Sequence, residues 1–332
     1  MSPDLVEIRD LRVAFDGVPV LHGIDLTVGR GEALGLVGES GCGKSVTWLA
    51  ALGLLPGKAT VSGSVRIEGS ELCGASRQVL ESVRGGRIAM IFQDPSSSLN
   101  PVQRIGRQIT EALVLHRGLR GETARAEALR LMDMVGIPDA RRRFDLYPHE
   151  FSGGQCQRLM IAMALAGEPD LLIADEPTTA LDATIQAQIL DLLVQLRAET
   201  GMATVFISHD LGAVSQVCDR VCVMYAGRIV EQGSIGQLFT EPRHPYTRGL
   251  FDAIPHLDGP RNRLIPIPGT VPPPQHLTAG CAFAPRCAHA ATVCDFQRPG
   301  LDTLEDGRRL ACFNPVPIAR ATPVRQKMLE GV

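Results

Sequence analysis

Gly38-Glu39-Ser40-Gly41-Cys42-Gly43-Lys44-Ser45 decides the reading of this chain. It is a G-x-x-x-x-G-K-S phosphate loop. The apolar run Ala33-Leu34-Gly35-Leu36-Val37 precedes it and reads as a buried strand. Val46 to Leu52 follows and reads as a helix. That strand–loop–helix context is what the motif requires. Glycines let the backbone curl so that successive N–H groups face phosphate oxygens, and the helix start adds partial positive charge. Lys44 is placed to reach β- and γ-phosphates, and the Ser45 hydroxyl to ligate Mg²⁺.

Working outward, residues 5–30 alternate apolar and polar side chains, with Gly17 and Gly23 as punctuation, and read as antiparallel strands. Val61 to Gly69 reads as another, giving a small antiparallel β layer. Phe15 lies in that layer; it is either a stacking platform for adenine or an ordinary core side chain. Ile88 to Gln93 reads as a strand ending in a glutamine that can sit on a metal, followed by a loop with two prolines, Pro95 and Pro101. Residues 103–135 carry helical periodicity, and their arginines interleave with acids as on a solvated face. Phe151-Ser152-Gly153-Gly154-Gln155 opens a further helix, repeating the combination of hydroxyl, free N–H groups and helix start.

Asp170 to Glu176 is an apolar strand ending in two carboxylates, and strand alternation would point Asp175 and Glu176 differently. Asp175 can hold Mg²⁺ through water, and Glu176 can polarise a water aimed at the γ-phosphate. A tight loop to Asp182 and a helix over 183–199 follow. Ala203 to His209 is a strand that ends in a histidine, where ligands sit in parallel sheets.

Together these residues resemble the ATP-binding cassette (ABC) ATPases. The phosphate loop (Walker A), Gln93, Phe151–Gln155, Leu171–Glu176, Leu181-Asp182 and His209 stand in that family's order, over about residues 5–235. Phe151 replaces the usual leucine at the start of the signature. Gln93-Asp94-Pro95, Tyr147-Pro148-His149-Glu150, His244-Pro245-Tyr246 and Cys281-Ala282-Phe283-Ala284-Pro285-Arg286-Cys287 are similar to the ATPase subunits of oligopeptide, dipeptide and nickel importers. The resemblance implies an α/β phosphate-loop cassette with a mixed core sheet, an antiparallel β layer and a helical subdomain. It would span residues 1–235, with the helical subdomain at about 94–155, followed by a cysteine-rich extension over 236–332.

It also implies a composite ATPase. One subunit contributes Phe15, the loop from Gly38 to Ser45, Gln93, Asp175, Glu176, Asp182 and His209. The facing one contributes Ser152, Gly153, Gly154 and Gln155. Glu176, His209 and Gln93 would be catalytic, with ATP as substrate and Mg²⁺ on Ser45, Gln93 and Asp175. The implied partners are a second, similar ATPase, two membrane permeases and an extracytoplasmic solute-binding protein.

Composition sets the remaining bounds. The chain has 332 residues, 45% of them hydrophobic and 21% charged, in the range of globular domains. A net charge of −3 gives no electrostatic argument for nucleic acid. The start, Met1 to Glu7, lacks the pattern of a signal peptide, and no stretch approaches the ~20 apolar residues of a membrane span. The chain therefore reads as cytosolic, peripheral on the cytoplasmic face of the inner membrane through its partners.

Nine cysteines occur, and four of them, Cys281, Cys287, Cys294 and Cys312, cluster beyond a proline-rich stretch at 255–280 that reads as a stiff linker. In a reducing compartment they read as metal ligands. Their wide spacing favours an iron–sulfur cluster, a [4Fe–4S] cubane by resemblance, with zinc as the alternative. Far from every nucleotide motif in sequence, the tail reads as a separate small unit that needs its metal to order. Rival readings are a soluble ABC ATPase uncoupled from transport, an exporter ATPase, and a non-enzymatic four-cysteine module. The chain lacks the coiled-coil insertions of the first, carries a proline–cysteine tail foreign to the second, and keeps the Lys44 and Glu176 that the third would have lost.

Overall fold

The computed structural model describes residues 4–94, 98–179, 181–253 and 266–317. Pro95, Ala180, Pro255 and Pro260, which figure in the loop and linker readings, lie outside the described residues. Twelve strands are described: β1 (Val6–Phe15), β2 (Val18–Val28), β3 (Ala33–Val37), β4 (Ala59–Ile67), β5 (Ser70–Glu71), β6 (Ile88–Ile91), β7 (Leu171–Asp175), β8 (Ala203–Ser208), β9 (Arg220–Tyr225), β10 (Arg228–Ser234), β11 (Asp302–Thr303) and β12 (Arg309–Leu310).

Two compact units form. One comprises Met1–Leu5, Val28–Glu32 and Gly74–Phe206; the other comprises Val6–Thr27, Ala33–Cys73 and Ile207–Val332.

In the first unit the strands run in the order β8-β7-β6, with β6 and β7 parallel. Every residue of β7 is buried, as expected of a parallel strand covered on both faces. The helical part contains Ile105–Arg117, Gly121–Met134 and Gly153–Leu165. The single periodic stretch over 103–135 is two helices, because Gly118 ends the first with a left-handed φ of 66°. Ile105, Ile109 and Leu113 from one helix and Ala124, Ala128 and Leu131 from the next are buried. The interleaved charges do pair: Glu127 accepts from Arg117 at 2.8 Å and from Arg130, which pulls its carboxyl down to about 2.

The second unit holds a four-stranded antiparallel layer, β2-β1-β4-β5, and strands ordered β11-β12-β10-β9-β3. β3 and β9 are parallel, whereas β9, β10, β12 and β11 pair antiparallel. In β1 the register to β4 shifts between Arg9 and Arg12. The shift places Asp10 in a left-handed conformation with φ 44° and brings its carbonyl against Gly63, where a Cβ would approach to 2.4 Å.

The tail joins the sheet of the second unit. β12 adds to the edge of β10, with Glu231 opposite Leu310, and the Ala311 amide donates to the Val230 carbonyl at 2.9 Å. An exposed strand edge offers unpaired N–H and C=O groups, and the tail satisfies them.

Candidate nucleotide site and its supports

The phosphate loop takes the shape its glycines dictate. Gly38, Gly41 and Gly43 have φ of 150°, 78° and 103°. At Gly38 a Cβ would come within 2.3 Å of the Met224 carbonyl, so only glycine fits. The helix Lys44–Ala51 starts directly from the loop. Lys44 is buried, and its ammonium donates to the carbonyls of Gly38 (2.8 Å) and Glu39 (3.1 Å), which holds it over the loop. Ser40 and Gly41 are exposed, Ser45 is half-buried, and the Cys42 thiol is buried, which pushes its pKa up.

Glu39 is where the loop meets the rest of its unit. Its amide donates to Tyr246 Oη at 2.8 Å. Its carboxylate receives Arg286 at two points, Nη1 at 2.7 Å and Nη2 at 3.0 Å. Arg286 also donates to Tyr225 Oη and to the carbonyls of Pro268 and Gly269, so all five N–H groups are used. Tyr225 packs edge-on to Tyr246 and Phe283, with ring centres 4.7 and 5.2 Å apart, and Tyr246 lies tilted to Phe283 at 5.4 Å. Arg286 and Tyr246 escaped the sequence reading as site residues. The available signal was an arginine flanked by proline and cysteine in Ala284-Pro285-Arg286-Cys287.

In the first unit, β7 delivers the carboxylates. Asp175 is its last residue and is buried. Glu176 is not part of the strand: it turns with φ 48°, a left-handed conformation costing roughly 1–2 kcal/mol for a residue with a Cβ. The strand ends at Asp175, so the turn and not strand alternation sets the backbone at Glu176. Glu176 Oε2 accepts from Gln93 Nε2 (3.1 Å) and from Thr179 Oγ1 (3.0 Å). Parallel pairing of β6 with β7 brings Gln93 to this place. Thr179 is a further contact that sequence reading missed.

Ser152 caps the helix Gly153–Leu165 in a reciprocal capping box: its Oγ accepts from the Gln155 amide at 3.3 Å, and Gln155 Oε1 accepts from the Ser152 amide at 3.1 Å. The helix thus begins at Gly153, under two turns before its apolar run Leu159–Ala166. Gly154 is pressed onto Ile185, where a Cβ would meet Cγ2 at 2.6 Å, while Gly153 and Ser152 are exposed. Asp182 caps the helix Ala183–Thr200 through Ile185 N, at 3.0 Å. Phe15 is half-buried at the end of β1, and His209, just beyond β8, is exposed.

The four tail cysteines, together with His244 and His289, line one cavity in the second unit. Burial raises the pKa of Cys281, Cys287 and Cys312, the last to about 11, and neighbouring cysteines of the four add to each rise. Among the described residues, however, no group of three or more His, Cys, Asp or Glu stands in a metal-holding arrangement. The arrangement therefore gives no support to the iron–sulfur or zinc centre expected at the cysteines, and it does not bear on magnesium, whose expected donors include a serine and a glutamine. The cavity's free volume is about 10 Å³, at the lower limit for one water. That volume is too small for a cubane, so the lining would have to spread to admit one.

Residues 21–179 match the ABC transporter family, and residues 230–294 match the oligopeptide/dipeptide transporter C-terminal region. An oligopeptide transport ATP-binding protein, OppD, of Salmonella typhimurium is 48% identical over 316 residues, 94% of each chain. The chain belongs to the ABC ATP-binding subunits of the oligopeptide/dipeptide transporter family. A putative peptide import ATP-binding protein of Brucella abortus is 52% identical over 313 residues, 93% of this chain and 94% of that one. Among solved structures, an ABC transporter subunit, cbiO1 of Clostridium perfringens, aligns with TM-score 0.63 at 30% identity, over 71% of this chain and 90% of that one. The cassette MJ0796, solved as a post-hydrolysis dimer with ADP and Pi, aligns with TM-score 0.62 at 28% identity, over 69% and 98%. The ABC ATPase fold and an ATP-hydrolysing activity follow from this membership. No helix of the described residues is long and apolar enough to cross a membrane.

Proposed function

We propose that this ABC subunit hydrolyses ATP to power import of di- or oligopeptides, or of a related solute such as nickel, through a membrane permease. The observation that carries the catalytic part is the Glu176 carboxylate, fixed by Gln93 and Thr179 on a strained turn at the end of a buried strand. A carboxylate held in one orientation can aim a water and take its proton as the γ-phosphoryl leaves. Lys44 neutralises phosphate charge, and loop amides with the helix start bind the phosphates. His209 supports the transferred group, and Phe15 stacks on the base.

Magnesium fits the donor set. Ser45, Gln93 and Asp175 offer hard oxygens, and with its Nε2 given to Glu176, Gln93 presents its amide oxygen. The ion would neutralise charge on the β- and γ-phosphates. The exposed Ser152 and Gly153 suit contact with a nucleotide held by a second cassette, which makes a paired ATPase, with two permeases and a solute-binding protein, the working assembly on the cytoplasmic face of the membrane. Closure of that pair on ATP would switch the permease. The four tail cysteines are assigned to a metal centre, a [4Fe–4S] cluster or zinc, supported by their sharing one cavity.

Reconstitution with the adjacent permeases and solute-binding protein in proteoliposomes tests this reading. Labelled dipeptide uptake should require ATP and disappear in Glu176→Gln. ATP hydrolysis that proceeds unchanged in that variant would remove Glu176 from catalysis, and hydrolysis never stimulated by permease and peptide would remove the coupling. Elemental analysis of anaerobically purified protein decides the tail: about four iron and four sulfide per chain for a cubane, one zinc for a structural site.

A further inference from the structure

A second cavity, of about 270 Å³, opens in the second unit between the β1–β2 hairpin, β10 and the tail. That is just below the usual range for small-molecule sites, so its occupant would be small. Arg12, Arg228 and Arg298 all line it, with His22, Asp10 and Asp25. Asp10 and Arg12 line it from the irregular part of β1, where the register shifts between Arg9 and Arg12.

Most of the polar groups on the hairpin side are already satisfied. Arg12 Nη2 and Nε bind the Asp10 carboxylate at 2.7 and 3.1 Å. Asp25 Oδ1 accepts from the Asp10 amide at 2.9 Å. The other side is not satisfied. The Arg228 guanidinium is half-buried and makes no hydrogen bond among the described residues. Burial first, then the neighbouring Arg298 and Arg12, bring its pKa down to about 10 against the opposing pull of the Asp10 carboxylate, which is itself engaged by Arg12, so Arg228 stays charged at neutral pH. Arg298 hydrogen-bonds only carbonyls, Thr278 at 3.0 Å and Gly280 at 3.4 Å, and makes no hydrogen bond to an acid among the described residues. His22 Nε2 is buried without a partner, and burial with the three nearby guanidiniums drives its pKa to about 4, so it is neutral.

A half-buried cation without an acceptor, beside two more cations, is costly. An anion would relieve the cost. Three guanidiniums against two carboxylates leave one net positive charge, which suits a monoanion better than a phosphate dianion. We propose that this cavity binds a small organic carboxylate, held between Arg228 and Arg298 with a further contact from His22 Nε2. The site is distinct from the phosphate loop, and one of its walls is the tail. Ligation there would tie the tail to the β1–β2 hairpin.

Calorimetric titration of the full chain tests the proposal, with its nucleotide site saturated by Mg–ADP so that added anions cannot report on the phosphate loop. The probes are N-acetyl-L-alanine, its C-terminal amide and inorganic phosphate. The carboxylate should bind, the amide should give no heat, and phosphate should bind at least tenfold more weakly than the carboxylate. Arg228→Met and Arg298→Met should each raise Kd for the carboxylate at least tenfold. Because Arg298 is exposed, its variant keeps the test open if Arg228→Met does not fold. Absence of carboxylate binding, equal binding of the amide, tighter binding of phosphate, or wild-type affinity in folded Arg298→Met would each overturn the assignment.

Discussion

The guanidinium of Arg286 grips the carboxylate of Glu39 at 2.7 and 3.0 Å, across 247 residues of sequence. One partner lies in the phosphate loop and the other lies beside the tail cysteine Cys287. The contact ties the shape of the loop to the order of the tail. The tail, expected to stand apart from the nucleotide machinery, instead buttresses it.

Arg286→Met should therefore weaken ATP binding. It removes five hydrogen bonds and leaves Glu39 partly buried without its cation, at a cost of about 2–3 kcal/mol, since Glu39 keeps some solvent. Titration with a fluorescent ATP analogue should show affinity reduced by about tenfold, the equivalent of roughly 1.4 kcal/mol reaching the loop. A folded variant with wild-type affinity would show that the clamp serves the tail alone.

Glu176→Gln should bind ATP normally and lose turnover. Gln93 and Thr179 can still hydrogen-bond the amide oxygen, so the turn should keep its shape, but the amide cannot accept a proton. Phosphate release by the assembled complex should fall by roughly 10²–10⁴-fold. Thr179→Ala frees the carboxylate from one anchor and should reduce turnover less.

Ser152 has two separable roles, and two substitutions divide them. Ser152→Ala removes the capping acceptor and should lower unfolding stability by about 1 kcal/mol in urea titration. Ser152→Arg should leave nucleotide binding by the isolated chain intact and abolish hydrolysis at the partner's site in the complex. Loss of this chain's own binding instead would contradict the head-to-tail pairing.

Acid should destabilise the tail through His244. This side chain is buried, caps the helix Pro245–Asp252 by accepting from the Tyr246 amide at 3.0 Å, and has its pKa lowered by burial to about 3. Below pH ~6.5 the unfolded chain takes up a proton that the native one refuses, so stability falls as pH drops from 7 towards 5. Glu231, raised by burial, shifts with the opposite sign above its ordinary carboxylate value, so comparison with a variant at His244 alone isolates the histidine. His244→Asn keeps a capping acceptor without the titration. Its unfolding midpoint in urea should depend less on pH between 7 and 5 than that of the wild type.

The sequence by itself determined what is written in short windows. The loop Gly38–Ser45 was legible because closely spaced glycines followed by lysine dictate one backbone shape. The buried strands β3, β7 and β8 were legible as unbroken apolar runs, and the Ser152 cap as a hydroxyl at a helix start. Only the tertiary structure decided contacts between distant segments. No local pattern announces that Arg286 will satisfy Glu39, that β12 will pair with β10, or that Arg228 and Arg298 will share a cavity. The turn at Glu176 was illegible for a related reason. A left-handed glutamate is unfavourable locally, and it persists because the surrounding hydrogen bonds from Gln93 and Thr179 outweigh the preference of its own backbone.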